Sequence, residues 1–358
     1  MSSILSKKVH SLKFINSFQT GILSLFVIST LLILVASITL GSFNFSLQEL
    51  LNDSNSLDNI VLLEIRIPRV LLAAFVGASL GLSGASLQGL FRNPLADPGL
   101  IGVSAGAALG ASLVIVLGSG ILPDFIFGTL ILPISAIIGA SLVISLLYLF
   151  TQGFGYQGIT YMLLVGIAVN AFASVGIGIL TYISTDSELR GLTFWTMGSF
   201  GGASWQLIIP ALIIISLTMF WMIPSARKLD LLQLGEPEAY RLGVDVRKLK
   251  FKVIIASAIT VGISVSLSGM IGFVGLVVPH LVRLIGGVNH NYLLPGSAFL
   301  GASLMMTADL LSRILIQPAE LPVGLITSAI GAPFFLWLIF RIRTVSYTHL
   351  TLPTKRIV

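Results

Sequence analysis

The longest uncharged stretch constrains this chain most. From Phe125 to Thr185 there is no Asp, Glu, Lys or Arg across 61 residues. A membrane-spanning helix needs only about 20 consecutive apolar residues, so this run holds two, with Gly153-Phe-Gly-Tyr-Gln-Gly158 as the turn between them. The rest of the chain repeats the pattern. Only 9% of residues are charged and 55% are hydrophobic, with a mean hydropathy of +1.01. Soluble domains carry about 25% charged residues, so there is too little polar surface to coat a globule in water. That excludes a cytosolic enzyme, a secreted disulfide scaffold and a disordered chain. Cysteine is absent, which removes disulfides, thiolate nucleophiles and thiolate-bound metals, and four scattered His make no metal site. A polytopic all-α membrane protein remains.

Hydropathy predicts ten spans, near 21–41, 70–90, 99–122, 126–150, 161–183, 207–223, 253–270, 275–285, 293–316 and 323–340. The eighth is short and holds Pro279, so nine is the alternative. An even count puts both termini on one side. With the N-terminal lysines assigned to the cytoplasm, fourteen basic residues fall inside and four (Arg66, Arg69, Arg190 and Arg313) outside, a strong positive-inside bias. This explains the net charge of +6 without nucleic acid. The basic N-terminus followed by an apolar stretch resembles a signal peptide, but the stretch is too long for one and a second span follows, so an uncleaved first helix is expected.

Spans 2 and 3 carry Gly77-x-x-x-Gly81 and Gly102-x-x-x-Gly106-x-x-x-Gly110. Small residues one turn apart let helix backbones approach closely. Between spans 6 and 7, Arg227–Lys252 is the longest polar stretch. Glu236-Pro237 suits a helix start and Gly243 a helix end, predicting a short helix over 236–242. It reads either as an ordinary loop or as an amphipathic docking element. Asn93-Pro94 and Asp97-Pro98, between spans 2 and 3, break helices. They form either a rigid turn or irregular backbone at the mouth of a pathway, which a membrane tolerates only beside protein or water. Arg66, Arg69 and Arg313 either snorkel to the outer interface or form a positive docking ring. Asp309 is the one acidic residue well inside a span, with no evident charged partner at its depth. It is either functional or a helix-packing group. There is no P-loop, nucleophile elbow, His-Glu-x-x-His or paired intramembrane carboxylate, so no catalytic residues and no cofactor are expected.

These segments resemble the FecCD-type permease family, the membrane subunits of type II ABC importers for iron–siderophore complexes, haem and vitamin B12. The resemblance runs from about Arg66 to Arg341. It is carried by Arg66-Ile-Pro-Arg69, Ser83–Gly102, Gly191-Leu-Thr-Phe-Trp-Thr-Met-Gly-Ser-Phe200, Gly272-Phe-Val-Gly-Leu-Val-Val-Pro-His-Leu-Val-Arg283, Pro318-Ala-Glu-Leu-Pro-Val-Gly324 and Gly331-Ala-Pro-Phe-Phe-Leu-Trp337. The family has ten helices per subunit. The resemblance implies that Gly235, Glu236, Glu238, Ala239, Leu242 and Gly243 couple to a cytoplasmic ATPase. It implies that Asn93, Leu95 and Thr160 form the cytoplasmic gate, and that Arg66, Arg69 and Arg313 pair with acids on a substrate-binding protein. The partners implied are a second permease subunit, identical or not, two ABC ATPases and that binding protein, at the bacterial inner membrane. Cargo would move by alternating access, with no covalent chemistry in the permease.

Ferric siderophore is the cargo expected, with haem or vitamin B12 as the alternative. A proton- or sodium-driven secondary transporter is the rival class, but it predicts ionisable residues at the midplane, where only Asp309 stands. The permease domain is expected over 1–344. Residues 345–358 depart from the family, resemble translated sequencing-adapter read-through, and are expected to be disordered.

Overall fold

The computed structural model describes residues 16–41, 57–121, 130–151 and 158–348. The described chain is helical throughout. Helix α1 spans Ser17–Thr39. A helical turn at Leu57–Ile60 and a π-helical turn at Val61–Arg66 lead into α2, Ile67–Phe91. Then come α3 Val103–Ile121, α4 Ile131–Thr151, α5 Gly158–Ile183, α6 Asp186–Met197 and α7 Trp205–Met222. The polar loop holds α8 Ala226–Leu232 and α9 Glu236–Arg241. The chain continues through α10 Val246–Ser268, α11 Val274–Gly286, α12 His290–Ile314 and α13 Val323–Thr348.

Ten of these helices occupy the ten predicted spans. Seven are long and apolar enough to cross a membrane, while α3, α11 and α13 contribute shorter apolar segments. The differences from expectation lie at the ends. Helix α3 starts at Val103 rather than 99, because Pro98–Ile101 forms a 3₁₀ turn closed by Gly102 at φ 86°. Helix α10 starts seven residues before 253, because Asp245 caps a basic first two turns that hydropathy alone discards. Helix α13 runs to Thr348, four residues beyond the expected domain boundary, and the remainder of the expected tail, 349–358, lies outside the described residues.

Helix α2 is the centre of the bundle. In its most apolar window 83% of residues are buried, against 17% for α1, which faces outward. Glycines make this burial possible. A side chain on Gly77 would strike the Gly301 carbonyl of α12, and one on Gly301 would strike the Gly77 carbonyl. Gly81 meets Ser297 of α12 in the same way, and Gly84 meets Gly275 of α11. Gly106 of α3 and Gly139 of α4 form a second reciprocal pair. Backbones therefore touch, which is how membrane helices gain packing energy when lipid supplies no hydrophobic drive between them. Hydroxyl pairs fasten α2 to α10, Ser79 to Ser264 at 2.8 Å and Ser83 to Thr260 at 2.9 Å. Large apolar side chains on α1, α5 and α7, among them Phe18, Phe172 and Phe220, are exposed, as a bundle that is not surrounded by water allows.

Candidate functional site

Three regions carry the residues singled out in the sequence. At one face lies the loop between α7 and α10. Helix α9 begins after Gly235, whose φ of 118° favours glycine, has Pro237 in its first turn, and is followed by Gly243 at φ 86°. Its two sides differ. Glu236 and Ala239 face inward: Ala239 is fully buried, and Glu236 pairs with Lys250 of α10 at 2.8 Å. Glu238, Tyr240, Leu242 and Gly243 face outward, as does Leu234 just before the helix. Tyr240 is 70% exposed, more than a core side chain would tolerate. The sequence reading did not separate α8. Its residues alternate less clearly than a long amphipathic helix, and at seven residues it gives little periodic signal.

Beside it lies the segment joining α2 to α3. Arg92 ends α2 in the left-handed conformation, φ 50°. Asn93 Oδ1 accepts the Leu95 backbone N–H at 2.9 Å, and both residues are exposed. The chain then turns back. Asp97 accepts the Gly99 N–H at 2.7 Å, and Pro98 packs against Gly275 of α11. Gly275 is also the residue that contacts Gly84, so Pro98 lies roughly 10–15 Å back along α2 from its end, at 1.5 Å per residue. A cavity of about 230 Å³ opens there, lined by Leu80, Asp97, Gly99, Asn170, Val261 and Met270 among others. This is irregular backbone inside the bundle and beside a cavity, the setting in which a membrane accepts it. Thr160 lies in the first turn of α5. Asn170, ten residues further along α5, was not singled out in the sequence. It donates to the Gly99 carbonyl at 3.2 Å and lines the cavity. Its available signal was that it is the one amide within the predicted fifth span, 161–183.

At the opposite face the three arginines are buried, each about 5–6% exposed. Arg69 Nε donates to Asp309 Oδ1 at 2.8 Å, and its Nη1 donates to both oxygens of Glu320 at 3.0 and 2.9 Å. Arg313 Nε sits 3.2 Å from Asp309 Oδ2, a contact without hydrogen-bond alignment, and its Nη2 donates to the Ser37 carbonyl of α1 at 3.0 Å. Arg66 Nη1 donates to the carbonyls of Ile38 and Thr39, both at 3.1 Å. The cluster ties α1, α2 and α12 to the α12–α13 loop. Two sequence readings change here. Asp309 has charged partners, two guanidiniums that converge on it from different helices. The arginines do not form an outward ring; their donors are occupied within the chain.

A ten-span helical bundle with a structured polar loop at one face and an irregular, cavity-lining segment beside it defines a membrane permease. Comparison with known proteins gives the family. The model of the FecCD transport family matches residues 26–341, and the chain belongs to that family. The hemin transport system permease protein HmuU of Yersinia pestis is 46% identical over 325 residues, covering 90% of this chain and 96% of the relative. The vitamin B12 import system permease protein BtuC of Klebsiella pneumoniae is 40% identical over 280 residues, covering 78% and 82%. An inward-facing structure of a metal-chelate type ABC transporter superposes with a TM-score of 0.80 at 34% identity, covering 90% of this chain and 99% of its own. The chain is therefore the permease subunit of a type II ABC importer, a multi-pass membrane protein and not an enzyme. ATP hydrolysis belongs to a separate ATPase.

Proposed function

We propose that this permease imports haem, that α9 couples it to its ATPase, and that the 92–102 segment is its cytoplasmic gate. The two-sided α9 carries the reading. Leu234, Tyr240 and Leu242 present apolar surface on the polar loop, beyond the spanning helices, while Glu236 and Ala239 anchor the helix from beneath. An exposed apolar patch rimmed by charge suits a protein partner. The charge bias supports a cytoplasmic position for this face. Asn93 and Leu95, with Thr160 in the first turn of α5, then stand at the inner end of the pathway. Two permease subunits enclose that pathway, two ATPases drive it, and a binding protein delivers cargo at the other face. There the arginines act by shaping the α12–α13 loop around Glu320 rather than by direct pairing.

Haem replaces the ferric siderophore expected from the sequence, because the haem permease is the more similar of the two named relatives and aligns along nearly its whole length. Uptake of haem, a ferric siderophore and vitamin B12 is to be compared in cells lacking their own permeases and supplied with the cognate ATPase and binding protein. Haem uptake alone is expected; siderophore uptake alone restores the first expectation. Tyr240→Asp with Leu242→Asp should release the ATPase on co-purification. If the ATPase stays bound and transport is normal, the coupling role of α9 fails.

A further inference from the structure

Helix α8 grips two spanning helices at once. Asp230 on it and Gln233, the residue that caps its C-terminal end, lie three residues apart, hence on one side of the helix. Asp230 Oδ1 accepts the backbone N–H of His290 at 3.0 Å and contacts His290 Nδ1 at 2.6 Å, at the start of α12. Gln233 Nε2 donates to the Gly89 carbonyl at 2.8 Å, near the end of α2. His290 joins the two contacts. Its side chain is 5% exposed, and its Nε2 is buried with no hydrogen-bond partner, facing Gly89. A side chain on Gly89 would run into that nitrogen. The ring is thus wedged between α8 and the last turns of α2, three residues before Arg92.

A buried imidazole nitrogen without a partner is a cost, and a packing residue without polar atoms would avoid it. What the imidazole supplies here is a short, directional link to Asp230 together with a rigid plate against backbone. The parts on either side are stiff. Helix α9 is fixed to α10 by Glu236–Lys250 and α8 packs against α9, while α2 and α12 touch backbone to backbone at Gly77, Gly81 and Gly301. Packed elements of this kind shift as bodies rather than deform.

We propose that His290 is a positioning residue that carries displacement of the α8–α9 segment into the cytoplasmic end of α2, and so into the 92–102 segment. The proposal rests on the coupling reading of α9 and adds the route by which that motion reaches the gate.

The test uses the whole permease–ATPase complex in liposomes. The chain has no cysteine, so Leu95→Cys supplies a single thiol on the segment, and its labelling rate reports the segment's position. With His290 present, the rate is expected to differ between nucleotide-free complex and complex trapped with a non-hydrolysable ATP analogue. His290→Ala should abolish that difference and lower ATP-driven haem uptake about tenfold, with ATP hydrolysis held within about twofold. His290→Asn, whose amide reaches Asp230 much as Nδ1 does, should restore the nucleotide response, which a merely structural ring would not predict. Asp230→Ala repeats the test from the α8 side with the ring left in place. A nucleotide response that persists in both His290→Ala and Asp230→Ala overturns the proposal. Release of the ATPase by Asp230→Ala also overturns it, since the pair would then belong to the docking surface. The coupling reading fails separately, through a Tyr240→Asp/Leu242→Asp permease that keeps its ATPase.

Discussion

The two faces of the bundle use polar residues in opposite ways. At the arginine face, charge is turned inward: Arg66, Arg69 and Arg313 spend their donors on Asp309, Glu320 and the carbonyls that end α1. At the loop face, charge supports from below and apolar groups face out: Glu236 and Lys250 hold α9 while Tyr240 and Leu242 are exposed. Hydropathy suggests the reverse, arginines reaching outward and leucines packed away. The difference teaches that, in a chain this apolar, a charged side chain is evidence of a buried lock as readily as of a docking site. A buried ion pair is tolerated only when geometry and further hydrogen bonds complete it, and the arginine cluster meets that condition.

The comparison breaks most sharply at Asp309. Asp309→Ala leaves Arg69 and Arg313 facing each other with no acid between them, and should destabilise the permease by about 3–5 kcal/mol. Thermal unfolding in detergent reads this; near-normal stability would show the cluster to be incidental. Next is the seam beneath it. Gly77→Val forces α2 away from α12 and should cost about 1–3 kcal/mol, by the same measurement. Glu320→Gln removes a half-exposed partner from Arg69 and should cost no more than about 1 kcal/mol, while loosening protection of the 315–322 loop in hydrogen exchange. At the other face, Tyr240→Asp with Leu242→Asp should leave stability within about 0.5 kcal/mol, although it removes ATPase binding; a large loss of stability would make α9 a packing element.

The smallest effect concerns Asp245. The Lys248 backbone N–H, which its Oδ1 accepts at 3.0 Å, together with the Lys248 ammonium 3.1 Å from Oδ2, holds its carboxyl below the ordinary carboxylate range. A depressed carboxyl stabilises the start of α10 above its unfolded value, near pH 4, and loses that contribution as pH falls through the lower folded value. Amide protection at 246–249, corrected for intrinsic exchange, should fall slightly on acidification below about pH 4. Asp245→Asn should remove the pH dependence.

Most of the fold was legible because spans are written locally. Twenty apolar residues in a row identify a helix whatever it packs against, and Gly77-x-x-x-Gly81 announced the close approach of α2 to a neighbour. The partners were not legible. Asp309 finds Arg69 across 240 residues of chain, and nothing in either neighbourhood names the other. Helix α6 could have been found, since Thr185-x-x-Glu188 is a capping box and forms one, with the Glu188 carboxylate 2.8 Å from the Thr185 N–H. For α9 the helix was legible and its sidedness was not. Ala239 and Leu242 looked equivalent as coupling residues, yet one is sealed against the bundle and the other is open. Sidedness in a six-residue helix is set by which neighbours exist, here Lys250 and α8.

The cavity beside Pro98 holds about 230 Å³, less than the 300–1,000 Å³ typical of a pocket that encloses a drug-sized ligand. If the proposed haem cargo passes here, this recess alone cannot enclose it, and a second surface has to complete the passage. If that surface belongs to an identical chain, every substitution along it appears twice, and a modest change in grip on each side multiplies in the passage as a whole.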